Sequence, residues 1–293
     1  METARTAVAL GLFDGVHLGH RAVISAAAGQ KKNRLVPAVF TFSPESAVYK
    51  TDSDSGYIYG IDTKRELLGE CGIKTVCVSG FSAIKELSGE EFVRRVLRER
   101  LNAAFVSCGR DFRFGRGASC GVDELREFGR KYGFEAEVVS DVRLGESIVS
   151  SSAIRRLLKE GSIEKANELL GKPYVISGTV VDGNHIGRTI DFPTINQNFG
   201  TGQLVPAYGV YSGNITVDGA LYRTVTNIGV KPTIEGERAP LAETHILGFS
   251  GDLYGRTVKV RLEGFIRGER RFSSLDELKA QIRADIASAG NDI

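Results

Sequence analysis

The stretch Ala7-Val8-Ala9-Leu10-Gly11-Leu12-Phe13-Asp14-Gly15-Val16-His17-Leu18-Gly19-His20-Arg21 decides how the first half of the chain folds. Ala7–Leu10 reads as a short buried strand, and Arg21 onward reads as a helix. A turn from a first parallel strand into a helix is the usual place for a nucleotide, because the helix start presents unpaired N–H groups to phosphate. Neither Gly-x-x-x-x-Gly-Lys-[Ser/Thr] nor Gly-x-Gly-x-x-Gly is present, so the P-loop and the dinucleotide fingerprint are both excluded. Instead, His17 and His20 stand three apart at the helix start, with Gly19 leaving room for phosphate. Two imidazole donors there can hold triphosphate oxygens and the charge that develops during transfer. The plainer alternative is a pair of capping or core histidines. Against it, these are two of only four histidines in the chain, and they sit among three glycines.

Outward from this turn, short β-rich runs alternate with helical patterns to about residue 170. The runs are Ala7–Leu10, Pro37–Phe42, Lys74–Val78, Ala104–Cys108 and Glu135–Val139. Thr63-x-x-Glu66 and Ser88-x-x-Glu91 both fit the capping box, in which a hydroxyl and a carboxylate reciprocally satisfy N–H groups at a helix start. After Ser88, the residues Phe92, Val96, Leu97 and Leu101 repeat at helical spacing. The alternation predicts an α/β fold with a parallel sheet and crossover helices. Two short helices, Ile154–Lys159 and Ile163–Leu170, are expected to close this half.

At Gly171-Lys172-Pro173 the pattern changes to short strands with frequent glycine: Tyr174–Val181, Gly209–Val217, Leu221–Ile228, Glu243–Phe249 and Thr257–Leu262. Few helices interrupt them, so a small antiparallel β-barrel is expected. The chain ends in a helix capped by Ser274-x-x-Glu277, with Leu275, Leu278, Ile282 and Ile286 as its buried stripe. Two domains follow, 1–172 and 173–293, as a length of 293 residues suggests.

Composition narrows the partners. Lys and Arg total 38 against 36 Asp and Glu, a formal charge of +2, so there is no strongly basic footprint for nucleic acid. No apolar run approaches the roughly 18 residues that would suggest a membrane span. The apolar run before Gly11 is too short for a signal peptide. Cys71, Cys77, Cys108 and Cys120 form no Cys-x-x-Cys pair and no secreted disulfide framework. A cytoplasmic protein acting on small molecules, as a monomer or weak homo-oligomer, is expected. Many of the 35 glycines stand beside residues suited to phosphate, where a backbone must approach a ligand closely.

Two further segments carry chemistry. In Ser150-Ser151-Ser152-Ala153-Ile154-Arg155, hydroxyls just before a helix, its N–H groups and Arg155 make a phosphate cradle; an ordinary helix cap with an exposed Arg is the alternative. In the second half, Val181-Asp182-Gly183-Asn184-His185-Ile186-Gly187-Arg188 leads to Phe192-Pro193-Thr194-Ile195-Asn196. The glycine-flanked turn offers backbone N–H groups to phosphates. Thr194 and Asn196 are neutral oxygen ligands two apart; on an extended segment they face one side and suit Mg²⁺ already bound by ATP.

Phe13-Asp14-Gly15-Val16-His17-Leu18-Gly19-His20 resembles the His-x-Gly-His signature of nucleotidylyltransferases, and its extended form is similar to that of bacterial bifunctional riboflavin kinase/FAD synthetases. Gly109-Arg110-Asp111-Phe112-Arg113-Phe114-Gly115 and the serine segment agree with that family. Phe192-Pro193-Thr194-Ile195-Asn196 resembles the Gly-Phe-Pro-Thr-Ala-Asn motif of riboflavin kinases, with Asp191 where the motif has Gly and Ile195 where it has Ala. Pro206–Tyr211, Asn227–Thr233, Glu243–Leu247, Gly251–Gly255 and Phe265–Arg267 follow in the family's order, so the resemblance covers nearly the whole chain.

The resemblance implies a Rossmann-like nucleotidylyltransferase sheet (an FMN adenylyltransferase, or FAD synthetase, domain) followed by a riboflavin kinase-like barrel with a C-terminal helix. It implies that riboflavin is phosphorylated by ATP to FMN, and that FMN is adenylylated by a second ATP to FAD and pyrophosphate. Glu243 stands at the position of the kinase general base; His17 and His20 would act by orientation and charge stabilisation. ATP contacts are expected from Gly11, Phe13, Asp14, Gly15, Gly19, Ser151, Ser152 and Arg155 in one half, and from Gly183, Gly187, Arg188 and Pro193 in the other. Flavin contacts are expected from Asp111, Phe112, Asn227 and Arg267, and Mg²⁺ from Thr194 and Asn196. Two alternatives remain at this point. One is an adenylyltransferase with an impaired kinase barrel, which Asp191 favours. The other is a non-catalytic flavin-binding regulator, which has no need of His17, His20 and Glu243.

Overall fold

The computed structural model describes residues 4–43, 56–182, 192–200, 202–232 and 238–290. They form two compact units that divide at Ser151/Ser152.

In the first unit, strands β1 (Thr6–Leu10), β2 (Val36–Phe42), β3 (Thr75–Ser79), β4 (Ala103–Gly109) and β5 (Glu135–Val139) form one parallel sheet in the order β3-β2-β1-β4-β5. The apolar runs of β1, β2 and β4 are buried almost throughout, as a sheet covered on both faces requires. The covering helices are α1 (Leu18–Ala28), α2 (Ile61–Glu70), α3 (Gly89–Glu91), which continues as a π-helix over Phe92–Arg100, and α4 (Val122–Tyr132). Phe92, Val93, Val96 and Leu97 pack against Val8, Leu10, Phe40 and Val106 in the core. The strand order reverses beside β1, so a ligand crevice belongs beyond the carboxyl ends of β1 and β4.

The capping box at Ser88 forms: Ser88 Oγ accepts from Glu91 N at 3.2 Å, and Ser88 N donates to Glu91 Oε2 at 3.0 Å. The one expected at Thr63 does not. Helix α2 starts earlier, with Gly60 as its cap, and Thr63 lies inside it. Lys64 N already bonds Gly60 O at 3.0 Å, so the first turn is closed before Thr63 can cap it. A two-stranded hairpin, β6 (Arg143–Leu144) and β7 (Ser147–Ile148), has no counterpart among the expected elements.

The second unit holds α5 (Ser151–Lys159, its first residue belonging to the first unit), α6 (Ile163–Leu170) and a closed barrel. The barrel order is β10-β11-β12-β9-β8-β13, with β8 (Tyr174–Val181), β9 (Thr194–Asn198), β10 (Gly209–Val217), β11 (Ala220–Pro232), β12 (Arg238–Ile246) and β13 (Thr257–Gly268). The expectation that α5 and α6 close the first half differs from what forms. Helix α6 docks on the barrel: Asn167 Nδ2 donates to Leu262 O at 2.9 Å and its Oδ1 accepts from Tyr174 N at 2.7 Å. Strand β12 alternates, with Ala242, Thr244 and Ile246 buried and Leu241, Glu243 and His245 on its other, half-buried face.

The C-terminal helix, Leu275–Gly290, buries Asp285 and Ala289. Leu275 does not join its buried stripe and is 60% exposed. Two arginines set the helix's rotation instead. Arg267 grips the buried Asp285 carboxylate, with Nη2 to Oδ2 at 2.8 Å, and Arg223 Nη2 donates to Ala289 O at 2.6 Å.

Candidate active sites

The turn after β1 is built around unusual backbone angles. Phe13 and Val16, both buried, have φ of 52° and 44°, and Gly15 has φ of 88°. Left-handed angles at bulky residues cost energy and persist only where the surroundings over-determine them. Here, Thr41 Oγ1 donates to Leu12 O at 2.8 Å, Arg21 Nε to Val16 O at 3.1 Å, and Ile58 N to Asp14 Oδ1 at 2.9 Å. The Phe13 ring lies where a Cβ on Gly11 would stand, 2.9 Å from it.

His17 is the N-cap of α1, and its Nδ1 accepts from His20 N at 3.2 Å. An accepting Nδ1 carries no proton, so in the neutral ring the proton sits on Nε2, which is then a donor. The two imidazoles stack with centroids 3.5 Å apart, and Phe13 meets His20 edge-on at 5.4 Å. Burial, then the neighbouring His17, then Lys64 hold the His20 pKa well below the usual histidine value. His20 is therefore a neutral ring at pH 7, and its Nδ1 is buried without a hydrogen-bond partner among the described residues. A Cβ on Gly19 would come within 3.2 Å of His17 Cε1, so glycine is needed for the rings to lie where they do.

The other residues expected here separate into two groups. Asp14 is 2% exposed, with its carboxylate turned to Ile58, and Ser151 Oγ donates to Asp14 O at 2.9 Å. These two, with Gly11 and Phe13, shape the turn. Ser152 and Arg155 lie at the start of α5, where Arg155 Nη2 donates to Ser152 Oγ at 3.3 Å. Asp111 is exposed at the end of β4, and Phe112 is half-buried, stacked on Phe114 at 5.8 Å.

Lys64 belongs to this neighbourhood and was not among the expected residues. It is 2% exposed, and its Nζ donates to Leu12 O at 3.2 Å, Phe42 O at 3.4 Å and Thr41 Oγ1 at 3.5 Å. Burial lowers its pKa to about 8, against the pull of Asp14. The available signal was its spacing: Lys64, Leu67 and Leu68 share the buried face of α2.

On the barrel, strand register assembles the second constellation. Asn227 of β11 pairs with Glu243 of β12, which pairs with Asn196 of β9. Directly opposed residues point to one face of a sheet, so the three side chains form a row across three strands. Thr194 and His245 pair in the adjacent row. Asn196 is 5% exposed, and its Oδ1 is buried without a hydrogen-bond partner among the described residues. A hard cation or a donor is what such an oxygen lacks, so Thr194 and Asn196 fit Mg²⁺ arriving with phosphates. His245 Nδ1 lies 2.8 Å from Pro193 O and must donate to it, which pins the backbone ahead of Thr194. A cavity of about 220 Å³ beside Thr194 is lined by Val180, Pro193, Ile246, Phe249 and Leu253, among others.

Arg267 is engaged by Asp285 and by Gly268 O at 3.1 Å, so it holds the C-terminal helix. Gly183, Gly187, Arg188 and Asp191 lie outside the described residues.

Comparison with known proteins now bears on these two constellations. A protein-family model described as FAD synthetase matches residues 1–153, and one described as riboflavin kinase matches residues 170–292. A bifunctional riboflavin kinase/FMN adenylyltransferase of Escherichia coli (strain K12) is 38% identical over 284 residues, covering 96% of this chain and 90% of that protein. The chain belongs to the bifunctional riboflavin kinase/FMN adenylyltransferase family. The family's protein from Bacillus subtilis (strain 168) is 35% identical over 291 residues, covering 97% of this chain and 91% of that one. A solved structure titled as a macrolide-efflux protein from Streptococcus pneumoniae superposes with a TM-score of 0.86 at 29% identity, over 99% of this chain and 95% of that one. No helix among the described residues is long and apolar enough to cross a membrane.

Proposed function

We propose that this member of the family divides its two reactions between its halves, with riboflavin phosphorylated by residues 173–293 and FMN adenylylated by residues 1–172. The observation that carries the kinase half is the Asn196–Glu243–Asn227 row beside Thr194. Glu243 takes the proton of the riboflavin 5′-hydroxyl as that oxygen attacks the γ-phosphorus and ADP leaves. Asn227 contacts the flavin. Arg267 acts indirectly, by holding the C-terminal helix against the barrel. Mg²⁺, when bound through Thr194 and Asn196, would neutralise phosphate charge. Pro193 approaches the ATP.

In the other half, a phosphate oxygen of FMN attacks the α-phosphorus of ATP and pyrophosphate leaves. The FMN phosphate is already ionised at neutral pH, so no general base is required. His17 offers an Nε2–H, and His20, a neutral ring, orients and hydrogen-bonds the phosphates instead of pairing with them as a cation. Backbone N–H groups at Gly15 and Gly19 complete the polyphosphate contacts of this unit. Phe112 and Asp111 meet the flavin. The protein works in the cytoplasm, as a monomer or weak homo-oligomer.

Incubating the purified protein with riboflavin, ATP and Mg²⁺ and separating the flavins over time tests this. FMN must appear first and then decline as FAD grows. FAD formed from supplied FMN, with no FMN formed from riboflavin, would instead support an impaired kinase barrel.

A further inference from the structure

Lys64 presents a problem that the two reactions do not explain. Its ammonium is buried, and its partners among the described residues are three uncharged oxygens. Burial works against the charge even with the attraction of Asp14, so keeping an ammonium there carries a cost. A methionine there would continue the apolar face formed by Leu67 and Leu68 without that cost. The ammonium sits where two strand ends meet: Leu12 belongs to the turn after β1, and Thr41 and Phe42 end β2. Thr41 Oγ1, which itself bonds Leu12 O, completes a triangle of contacts across the join. Among the described residues, the titratable groups facing Lys64 are Asp14 from the turn and His20 from α1, with His17 stacked behind His20; β2 contributes Thr41 and the Phe42 carbonyl.

We propose that Lys64 is a positioning residue for adenylyl transfer, its ammonium pinning the Leu12–Phe13 turn to the end of β2 so that His17 and His20 meet the phosphates in fixed places. This rests on the reading of the His17–His20 turn as the adenylyl-transfer site. Lysine is required because one cation can serve three acceptors that diverge from two strands, and because its charge also lies against the neutral His20.

The test uses the full chain carrying Lys64→Met or Lys64→Arg, with riboflavin phosphorylation as the internal control. Lys64→Met should lower kcat for FAD formation about 10²-fold, the scale for a displaced reacting group, with a smaller change in KM for ATP. Lys64→Arg, which keeps charge and donors, should recover most of the loss. In Lys64→Met the His20 ring should titrate closer to the usual histidine value, followed by NMR of its Cε1–H, as expected for loss of a neighbouring charge, while the split between kcat and KM reports the positioning. Wild-type kcat in folded Lys64→Met overturns the proposal. If Lys64→Met does not fold, Thr41→Val, which removes one corner of the triangle, must lower kcat; an unchanged kcat would make Lys64 structural only. His20→Ala is measured in parallel. If it retains FAD synthesis, the site reading itself fails; if it loses FAD synthesis while Lys64→Met keeps it, only this inference fails.

Discussion

Gly19→Ala separates stability from catalysis within one methyl group. The added Cβ would lie 3.2 Å from His17 Cε1, 3.3 Å from its Nδ1 and 3.4 Å from Val149 O. The backbone oxygen cannot retreat, so the imidazole must move by a few tenths of an ångström. That ring caps α1 through the 3.2 Å bond from His20 N, and weakening a cap costs about 1 kcal/mol. Alanine is favoured over glycine in a helix by about 0.8–1 kcal/mol, less in the first turn, so the two terms nearly cancel. Thermal or urea unfolding should therefore be almost unchanged. Adenylyl transfer should not be. A displaced His17 drags the stacked His20 with it, and a misplaced catalytic group costs about 10²-fold in kcat. The assay follows FAD formed from FMN and ATP by chromatography, with FMN formed from riboflavin as the control. A folded Gly19→Ala protein that makes FAD within about threefold of the wild-type rate would refute the argument that this glycine exists to seat the rings.

Three further outcomes are expected. Glu243→Gln keeps size but cannot take a proton, so FMN formation should fall by about 10²-fold or more while FAD synthesis from FMN persists; equal loss of both activities would sink the assignment. Asp285→Ala leaves Arg267 without its buried partner and should destabilise the barrel by about 3 kcal/mol in urea unfolding, whereas a loss below about 1 kcal/mol would mean that the pair does not anchor the C-terminal helix. An unfolded lysine keeps its proton to about pH 10.4, while folded Lys64 releases it near 8. Between these values the unfolded chain binds the extra proton, so the wild type should gain up to roughly 3 kcal/mol relative to Lys64→Met as pH rises from 8 towards 10.4. A difference that stays flat across that window would show that the buried ammonium titrates normally.

The parts of the fold legible in the sequence were those where a local pattern and the tertiary structure demand the same thing. The runs Glu135–Val139, Tyr174–Val181 and Gly209–Val217 are strands with those bounds, and Gly209–Val217 is buried along most of its length. Local signals failed where a distant group decided. Thr63 has the spacing of a cap, yet helix α2 starts at Ile61 with Lys64 drawn inward. Leu275 has the spacing of a core residue, yet ion pairing at Asp285 rotates it outward. The Glu243–Asn196–Asn227 row could not be read from spacing, because pairing across β9, β12 and β11 is set by barrel closure and not by neighbours in the chain. Lys64 escaped for the opposite reason: a lysine on a helix is ordinarily a solvated side chain, and only its three acceptors reveal otherwise.

On the proposed assignment, the two sites handle phosphate by different physics, and the difference follows from what each nucleophile needs. Riboflavin brings a hydroxyl, whose proton must leave as the bond forms, and the barrel supplies a carboxylate in a row with two amides. FMN brings an oxygen already charged, and there a carboxylate facing the reactants would repel both substrates. Accordingly, Asp14, the acid of the histidine turn, points into the protein and is spent on Ile58 N. The turn carries a pair of stacked imidazoles instead, one with its tautomer set by a backbone N–H and the other kept neutral by burial. A cationic histidine would bind the triphosphate more tightly in the ground state as well as in the transition state, which raises affinity without raising the rate. Under the proposed reading, neutral donors held in place, with the charge of Lys64 behind them, would instead favour the arrangement in which pyrophosphate is leaving.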